Sequence, residues 1–521
     1  MNKDIQIIKI PSSASGEQLT SYLARQKVYL SSPCGGRGVC GKCRVKVKSG
    51  YFISRVNGEI LKPDSEGYIL SCQALCADVD SEIESPTFSG EGLTIADEHI
   101  KSNDEHDESR CDGIALDIGT TTIAAARVDM KNGRILMSAS CLNPQQMYGA
   151  DVISRIEAAK KGQLADMQSC VLDAVRSLLE QLCVTSEAPA EKLVVAGNTT
   201  MLHLFCGVSP EGMGAYPFTP VFTDVKEMSG SELGLPVRNV TLMPSVSAFI
   251  GGDITAGMLV CGLGSSECPA LLLDIGTNGE MVLDTGKQFG NRLIAASTAA
   301  GPALEGANLS CGIGGVEGAV SRVAEESGML VYRTIGDKPA KGICGCGVID
   351  LCSVLLNNES IDETGYLEDD PYVLTGMHKT ENTTSAEKTT DVYLSQKDIR
   401  EIQLAKSALR AGIEALLDYA GMDVDSFVKY GGKVYIAGGL GYYINPINAA
   451  RVGLLPQSFV ADENTVSAVG NSALAGAIKV LTDSSELSHV CELAKVCTTI
   501  ELNKSQTFND GFIEYMMFSD E

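Results

Sequence analysis

The chain has 521 residues and a formal net charge of -25, from 41 Lys+Arg against 66 Asp+Glu. That balance excludes sequence-independent nucleic-acid binding, which needs a basic face, and the absence of tryptophan with 5% aromatics leaves few base-stacking platforms. The apolar fraction of 44% supports two or more packed domains at roughly 100–200 residues each, and no long uninterrupted apolar run predicts a membrane span.

The N-terminus, Met1-Asn2-Lys3-Asp4, carries an acid where a secretory leader has its apolar run. Eighteen cysteines without a leader suit a reducing, cytoplasmic setting with free thiols or a metal cluster. Residues 5–10 read as a strand, and Leu19, Tyr22 and Leu23 have helical spacing. Then Cys34, Cys40 and Cys43 give C-x5-C-x2-C, and Cys72 follows Cys43 after 28 intervening residues. Three thiolates from one loop plus a distant fourth is how proteins hold a [2Fe–2S] cluster. Gly35, Gly36, Gly38 and Gly41 let the backbone wrap closely around it. Zinc is the alternative, but ribbons usually pair two C-x2-C knuckles and one is present. Cys76 competes with Cys72 as the fourth ligand. The loop resembles β-grasp ferredoxins, with one strand rather than a hairpin before the helix.

Charge marks the boundaries. Residues 1–90 hold 11 bases and 9 acids, and 91–112 hold 8 acids and 2 bases. The second stretch reads as a solvated acidic linker. Residues 113–521 form the large module, with lobes of roughly 113–270 and 271–521. A polar patch from Glu359 to Asp391 reads as an excursion from its second lobe.

LDIGT occurs at 116–120 and again at 273–277. Each copy is an apolar strand, an Asp, a Gly-Thr turn and another apolar strand. Gly at the turn allows close approach to phosphate, and Thr and Asn add donors. The first loop is Asp117, Gly119, Thr120, Thr121 and Thr122. The second is Asp274, Gly276, Thr277, Asn278 and Gly279. Two such hairpins face to face would clamp a polyphosphate, with Asp117 and Asp274 suited to Mg2+, which takes only one or two carboxylates. A third strand at 434–437 runs into Gly438, Gly439 and Gly441. Together these resemble the actin/Hsp70/sugar-kinase (ASKHA) fold, which implies ATP binding with the third element at the adenosine end. Gly301 and Glu305 are expected to border the cleft. Asn198 and Asp253 are candidates for placing the attacking water, a cap or turn being the plainer role. Glu280 reads as a strand residue facing solvent. Cys344, Cys346 and Cys352 read as apolar-facing thiols of a turn and helix rather than a second cluster. No G-x-x-x-x-G-K-[ST] loop is present.

A ferredoxin-like module joined to an ASKHA ATPase resembles the RACo family of reductive activators of corrinoid proteins. NPQQMYGADVISRI (143–156), AGNTTMLHLFCGV (196–208) and GICGCGVIDL (342–351) extend the resemblance. It implies one-electron reduction of an inactive Co(II) corrinoid to Co(I), driven by ATP. The partners would be a corrinoid protein or methyltransferase and a low-potential electron donor, and the chain would form a homodimer. Uphill transfer explains the need for ATP, since 59 mV costs about 1.4 kcal/mol for one electron. Larger members carry a further domain between linker and ATPase, expected to be missing here. The rivals are a small-molecule kinase with a regulatory ferredoxin module, a radical-dehydratase activase, and a redox-sensing interaction protein.

Overall fold

The structure, a computed structural model, describes residues 5–26, 28, 30, 38, 43–86, 112–380, 383–386 and 388–518. Of the expected linker, only Asp112 lies among them. It opens a strand and pairs with Arg127 at 2.6 Å.

The first module is a four-stranded sheet of β1 (Ile5–Ile10), β6 (Ser81–Pro86), β2 (Arg44–Ser49) and β4 (Tyr68–Leu70), in that order. A small pair, β3 (Phe52–Ser54) and β5 (Ala74–Cys76), lies beside it. Helix α1 (Leu19–Arg25) buries Leu19, Tyr22 and Leu23 against Ile8, Ile10, Val45 and Ile83. That is the i, i+3, i+4 stripe of an amphipathic helix. Among the described residues one strand precedes α1. It pairs antiparallel with β6, so the far end of the module replaces the missing hairpin partner.

The large module contains one arrangement twice. In the first lobe β7 (Asp112–Ile118), β8 (Thr122–Asp129) and β9 (Arg134–Leu142) form a meander. β10 (Ala190–Gly197) and β12 (Val237–Leu242) extend it in parallel, and β11 (Lys226–Ser229) closes the edge. In the second lobe β13 (Ala270–Ile275), β14 (Gly279–Asp284) and β15 (Leu293–Thr298) form the meander. β21 (Lys433–Ala437) and β22 (Val466–Gly470) extend it in parallel, and β23 (Thr498–Thr499) lies at the other edge. Ile114, Ala115, Leu116 and Ile118 of β7 are all buried, as a strand covered on both faces requires.

Helices α2 (Val152–Ala158), α3 (Leu164–Gln181) and α4 (Thr199–Cys206) lie on one side of the first sheet. On the other side pack α5 (Gly252–Val260), which leads into β13, and α10 (Ser472–Thr482), which follows β22. These two helices therefore tie the lobes together. They touch closely, because a Cβ on Gly476 would lie 2.6 Å from that of Ala256.

The second lobe carries a further sheet in the order β18 (Gly342–Ile343), β16 (Ala319–Glu326), β17 (Met329–Thr334), β19 (Tyr372–His378), β20 (Lys388–Leu394). The polar patch at 359–391, expected as an excursion, supplies β19 and the start of β20. Leu374, Val392 and Leu394 point inward, and the polar residues occupy the outer face of an edge hairpin. Helices α6 (Gly345–Asn357) and α7 (Gln396–Ala420) share this core, and α8 (Val424–Lys429) and α9 (Pro446–Arg451) flank β21 in sequence. Ser395 and Asp398 cap the start of α7, and Gly421 ends it. α11 (Ser485–Val496) and α12 (Gln506–Glu514) complete the chain. Buried Lys406 of α7 donates to the carbonyls of Tyr515 and Met517, fastening the C-terminal segment. No helix among the described residues is long and apolar enough to cross a membrane.

Because α5 and α10 leave no room at their crossing, Gly476→Leu should destabilise the protein by about 1–3 kcal/mol. An unchanged thermal melt would show that the crossing is not tightly packed.

Candidate functional site

Two of the four expected cluster cysteines are described. Cys43 directly precedes β2, and Cys72 sits in the 3-10 turn Ser71–Gln73 between β4 and β5. Both are buried. Hydrogen bonding between the two side chains holds the Cys43 thiol below its ordinary value, the direction that favours a thiolate ligand. The Cys72 carbonyl accepts from Gln18 Nε2 at 3.3 Å and Arg55 Nη1 at 3.4 Å, which fixes the turn. Gln73 Nε2 lies 3.6 Å from the Cys72 Sγ as a donor to sulfur. Cys76 differs. It sits in β5, and burial, then Glu17, push its thiol up to about 11. The donor chemistry therefore fits an iron–sulfur group at Cys43 and Cys72 better than at Cys76. Cys34 and Cys40 lie outside the described residues.

The paired hairpins place the two LDIGT motifs at equivalent sheet positions. Asp117 lies beside Ala196 of β10, and Asp274 beside Ala437 of β21. Gly438 follows Ala437 with φ of 83°, and a Cβ there would lie 2.7 Å from Asp274 Oδ1. Only glycine lets the third strand leave the sheet so close to that carboxylate. Gly439 faces open space, and Gly441 lies in the same turn. Gly301 opens the short turn that ends at Glu305.

Glu305 joins the two loops. One of its oxygens accepts from Thr121 Oγ1 at 3.3 Å and from Thr277 Oγ1. Asn198 caps α4 through Met201 N at 2.9 Å and donates to Thr120 Oγ1 at 3.0 Å. Asp253 is in the first turn of α5, where its Oδ1 accepts from Ile254 N at 2.8 Å. The cap role expected for Asn198 is thus present together with a contact to the first loop.

Sequence reasoning missed several residues here. Glu280 is directly opposite Asp274 in the hairpin, so both point to one face. Its carboxyl is pushed well up by burial, then by Asp253 and Asp274, so the expectation of a solvent-facing Glu280 is not met. Counting across the three-residue turn would have revealed it. Asn471, the cap of α10, donates to Asp117 Oδ2 at 2.8 Å. The segment 143–155 takes the carbonyls of Gly119, Thr120 and Thr121. Asn143 Nδ2 donates to Gly119 O at 2.8 Å, and Arg155 Nη2 donates to Thr120 O. Thr121 O accepts from Asn143 N at 2.8 Å and Gln146 Nε2 at 2.9 Å. With its carbonyls drawn back, the loop is free to turn its amides toward an anion.

Asp117, Asp253, Asp274, Glu280 and Glu305 sit close enough to perturb one another. Burial, first of all, pushes Asp117, Asp253 and Asp274 up to about 7. Asn471 opposes the shift at Asp117, while Asp117 adds to it at Asp253 and Asp253 adds to it at Asp274. The fully buried Arg155 is the nearby cation, and it perturbs Glu305 downward. Among the described residues no three such side chains converge as a ready metal site.

A two-lobed clamp of paired Asp-Gly-Thr hairpins, joined to a ferredoxin-like thiol module, defines a nucleotide-binding protein of the ASKHA class with an iron–sulfur domain. Comparison with known proteins agrees. Family models match at residues 8–77 (2Fe-2S iron-sulfur cluster binding domain), 112–266 (RACo middle region) and 269–521 (C-terminal domain of RACo, the ASKHA domain). The chain is 31% identical over 446 residues to the corrinoid activation enzyme RamQ of Eubacterium limosum, covering 81% of this chain and 72% of that one. It is 25% identical over 447 residues to the Co(II) methylated amine-specific corrinoid protein reductase of Methanosarcina barkeri, covering 77% and 76%. A solved reductive activator for corrinoid, iron-sulfur protein matches 98% of this chain and 96% of its own, with a TM-score of 0.69 and 28% identity. The chain belongs to the RACo family. The stretch matched as the RACo middle region, 112–266, coincides here with the first lobe.

The raised carboxyls set a pH dependence. A folded-state value near 7, against the ordinary 3.8, means these groups favour folding when protonated. That contribution is complete below about pH 4 and is lost as pH rises through about 7. Nucleotide-free protein should therefore lose thermal stability from about pH 4 to about pH 7, and Asp253→Asn should flatten the decline. An equally steep decline in the variant would refute this account of the cleft.

Proposed function

We propose that the chain is an ATP-dependent reductive activator that returns the inactive Co(II) corrinoid of a protein partner to Co(I). The observation that carries this reading is the joining, in one chain, of the Cys43–Cys72 thiol pair with two phosphate hairpins bridged by Glu305. The names of the RamQ and reductive-activator relatives support the same direction.

Cys34, Cys40, Cys43 and Cys72 would hold the [2Fe–2S] cluster, which supplies a one-electron carrier, the electron leaving it to convert cobalt(II) to cobalt(I). A low-potential donor must restore that electron. Gln18 and Arg55 hold the Cys72 turn in place. In the clamp, the amides of 120–121 and 277–278 would face the phosphates, and Asp117 and Asp274 would hold Mg2+. Gly438, Gly439 and Gly441 would border the adenosine. Asp253, Glu280 and Asn198 stand around the same space, with Asp253 and Asn198 suited to orienting water. Glu305 accepts from both loops, so it can report closure of one lobe on the other.

Reduced protein mixed with MgATP and a Co(II) corrinoid protein should generate the visible spectrum of Co(I). Asp274→Ala should lower ATP turnover and Co(I) formation together, each by about 100-fold or more. Normal Co(I) formation by this variant would overturn the role of the clamp. Cys72→Ser should lose the visible colour of the reconstituted cluster while Cys76→Ser keeps it. The opposite pattern would reassign the fourth ligand.

A further inference from the structure

The strap that holds the first phosphate loop has a second face. Between the N-terminal module and the first lobe lies a cavity of about 420 Å³. Gln18, Arg55 and Cys72 line one wall, and Tyr148, Ser154 and Lys161 line the other. The two sets of contacts cannot move independently, because they alternate along the chain. Gln146 holds Thr121 O, and two residues later Tyr148 faces the cavity. Ser154 faces the cavity, and the next residue, Arg155, holds Thr120 O. The segment is also internally stiff. Asp151 caps α2 through Ser154 N at 2.7 Å, and Arg155 Nε donates to Gly149 O at 3.0 Å.

The seam is built to part. Its walls are mostly polar, it encloses space for water, and it sets Arg55 and Lys161, two cations, around one cavity. Small polar contacts of this kind resemble transient rather than permanent interfaces. On the module side, the wall includes Cys72 and the two residues that fix its carbonyl. In this position the Cys72 side of the module faces the lobe.

We infer that residues 143–163 form a releasable seat for the iron–sulfur module, and that phosphate binding at the first loop unseats it. The inference rests on the nucleotide-clamp reading above. A polyphosphate drawn onto the amides of Thr120 and Thr121, at the tip of the turn closed by Gly119 N and Thr122 O, shifts the carbonyls beside them. Asn143, Gln146 and Arg155 carry that shift to Tyr148 and Ser154, and the weak seam opens. The nucleotide then acts on where the cluster module sits, without touching it.

Hydrogen–deuterium exchange on the full chain with its cluster, with and without MgATP, tests this. MgATP should protect 116–122 and speed exchange in 18–25 and 71–76 by at least about threefold. Lys161→Glu puts a carboxylate opposite Arg55, so it should keep the protection at 116–122 but shrink the gain in the module. Protection at 116–122 with an unchanged module would overturn the seat and leave the clamp standing. No protection at 116–122 would overturn both. An undiminished gain in Lys161→Glu would remove this seam as the place of coupling.

Discussion

The large module is organised around an electrostatic debt in its cleft. Asp117, Asp253, Asp274, Glu280 and Glu305 meet there with Arg155 as the neighbouring cation. Like carboxylates gathered at low polarity cannot all ionise near neutral pH. Either they hold protons, as the raised values of Asp117, Asp253 and Asp274 imply, or a cation arrives. In the proposed function the cation is Mg2+ carried by nucleotide. Duplicated hairpins are an economical way to build such a cleft, since each places an Asp at the end of a central strand. The second hairpin adds Glu280 across from its Asp, whereas the first has Ala124 there, so the acidity is skewed toward the second lobe.

The scaffold makes that cleft deformable in a particular way. α5 and α10 connect the sheets and pack tightly on each other, so the lobes share a stiff floor. Above the floor, Glu305 accepts from Thr121 on one side and Thr277 on the other. Asn471, which caps α10, reaches across to Asp117. Both contacts are polar and exchangeable, unlike the apolar packing beneath them. A ligand that replaces them alters the spacing of the loops at small cost in hydrophobic burial.

Much of this was legible in the sequence because the motifs carry their own geometry. LDIGT twice gave both hairpins, and the run VYIA into Gly438 gave the third strand. Leu19, Tyr22 and Leu23 gave α1. What stayed hidden depends on partners far away in the chain. Arg155 looks like an ordinary helix residue until 120 is folded beside it, and Asn471 lies 354 residues from Asp117. The patch at 359–391 looked like an excursion because edge strands keep one polar face, and β19 and β20 show only a short inward alternation. Glu280 was a different kind of miss, since pairing across a short turn was enough to put it beside Asp274. The choice between Cys72 and Cys76 also needed structure. Four residues separate them, yet one lies on a turn beside Cys43 and the other in a strand beside Glu17.

The carbonyl contacts of the first loop connect these levels. A phosphate loop needs its amides forward, so its carbonyls need donors behind. In the second hairpin the turn is closed locally, Gly276 N donating to Asn278 O at 2.9 Å. The first hairpin has a similar local bond, from Gly119 N to Thr122 O, but it also delegates three carbonyls to 143–155. That delegation is unnecessary for a turn of this length, which the second hairpin shows. It makes sense if the first loop must be coupled to something beyond itself. The segment so recruited also lines the cavity beside Cys72. In the proposed function the nucleotide site and the cluster site must act on each other, and this strap touches both the first loop and the cavity beside Cys72.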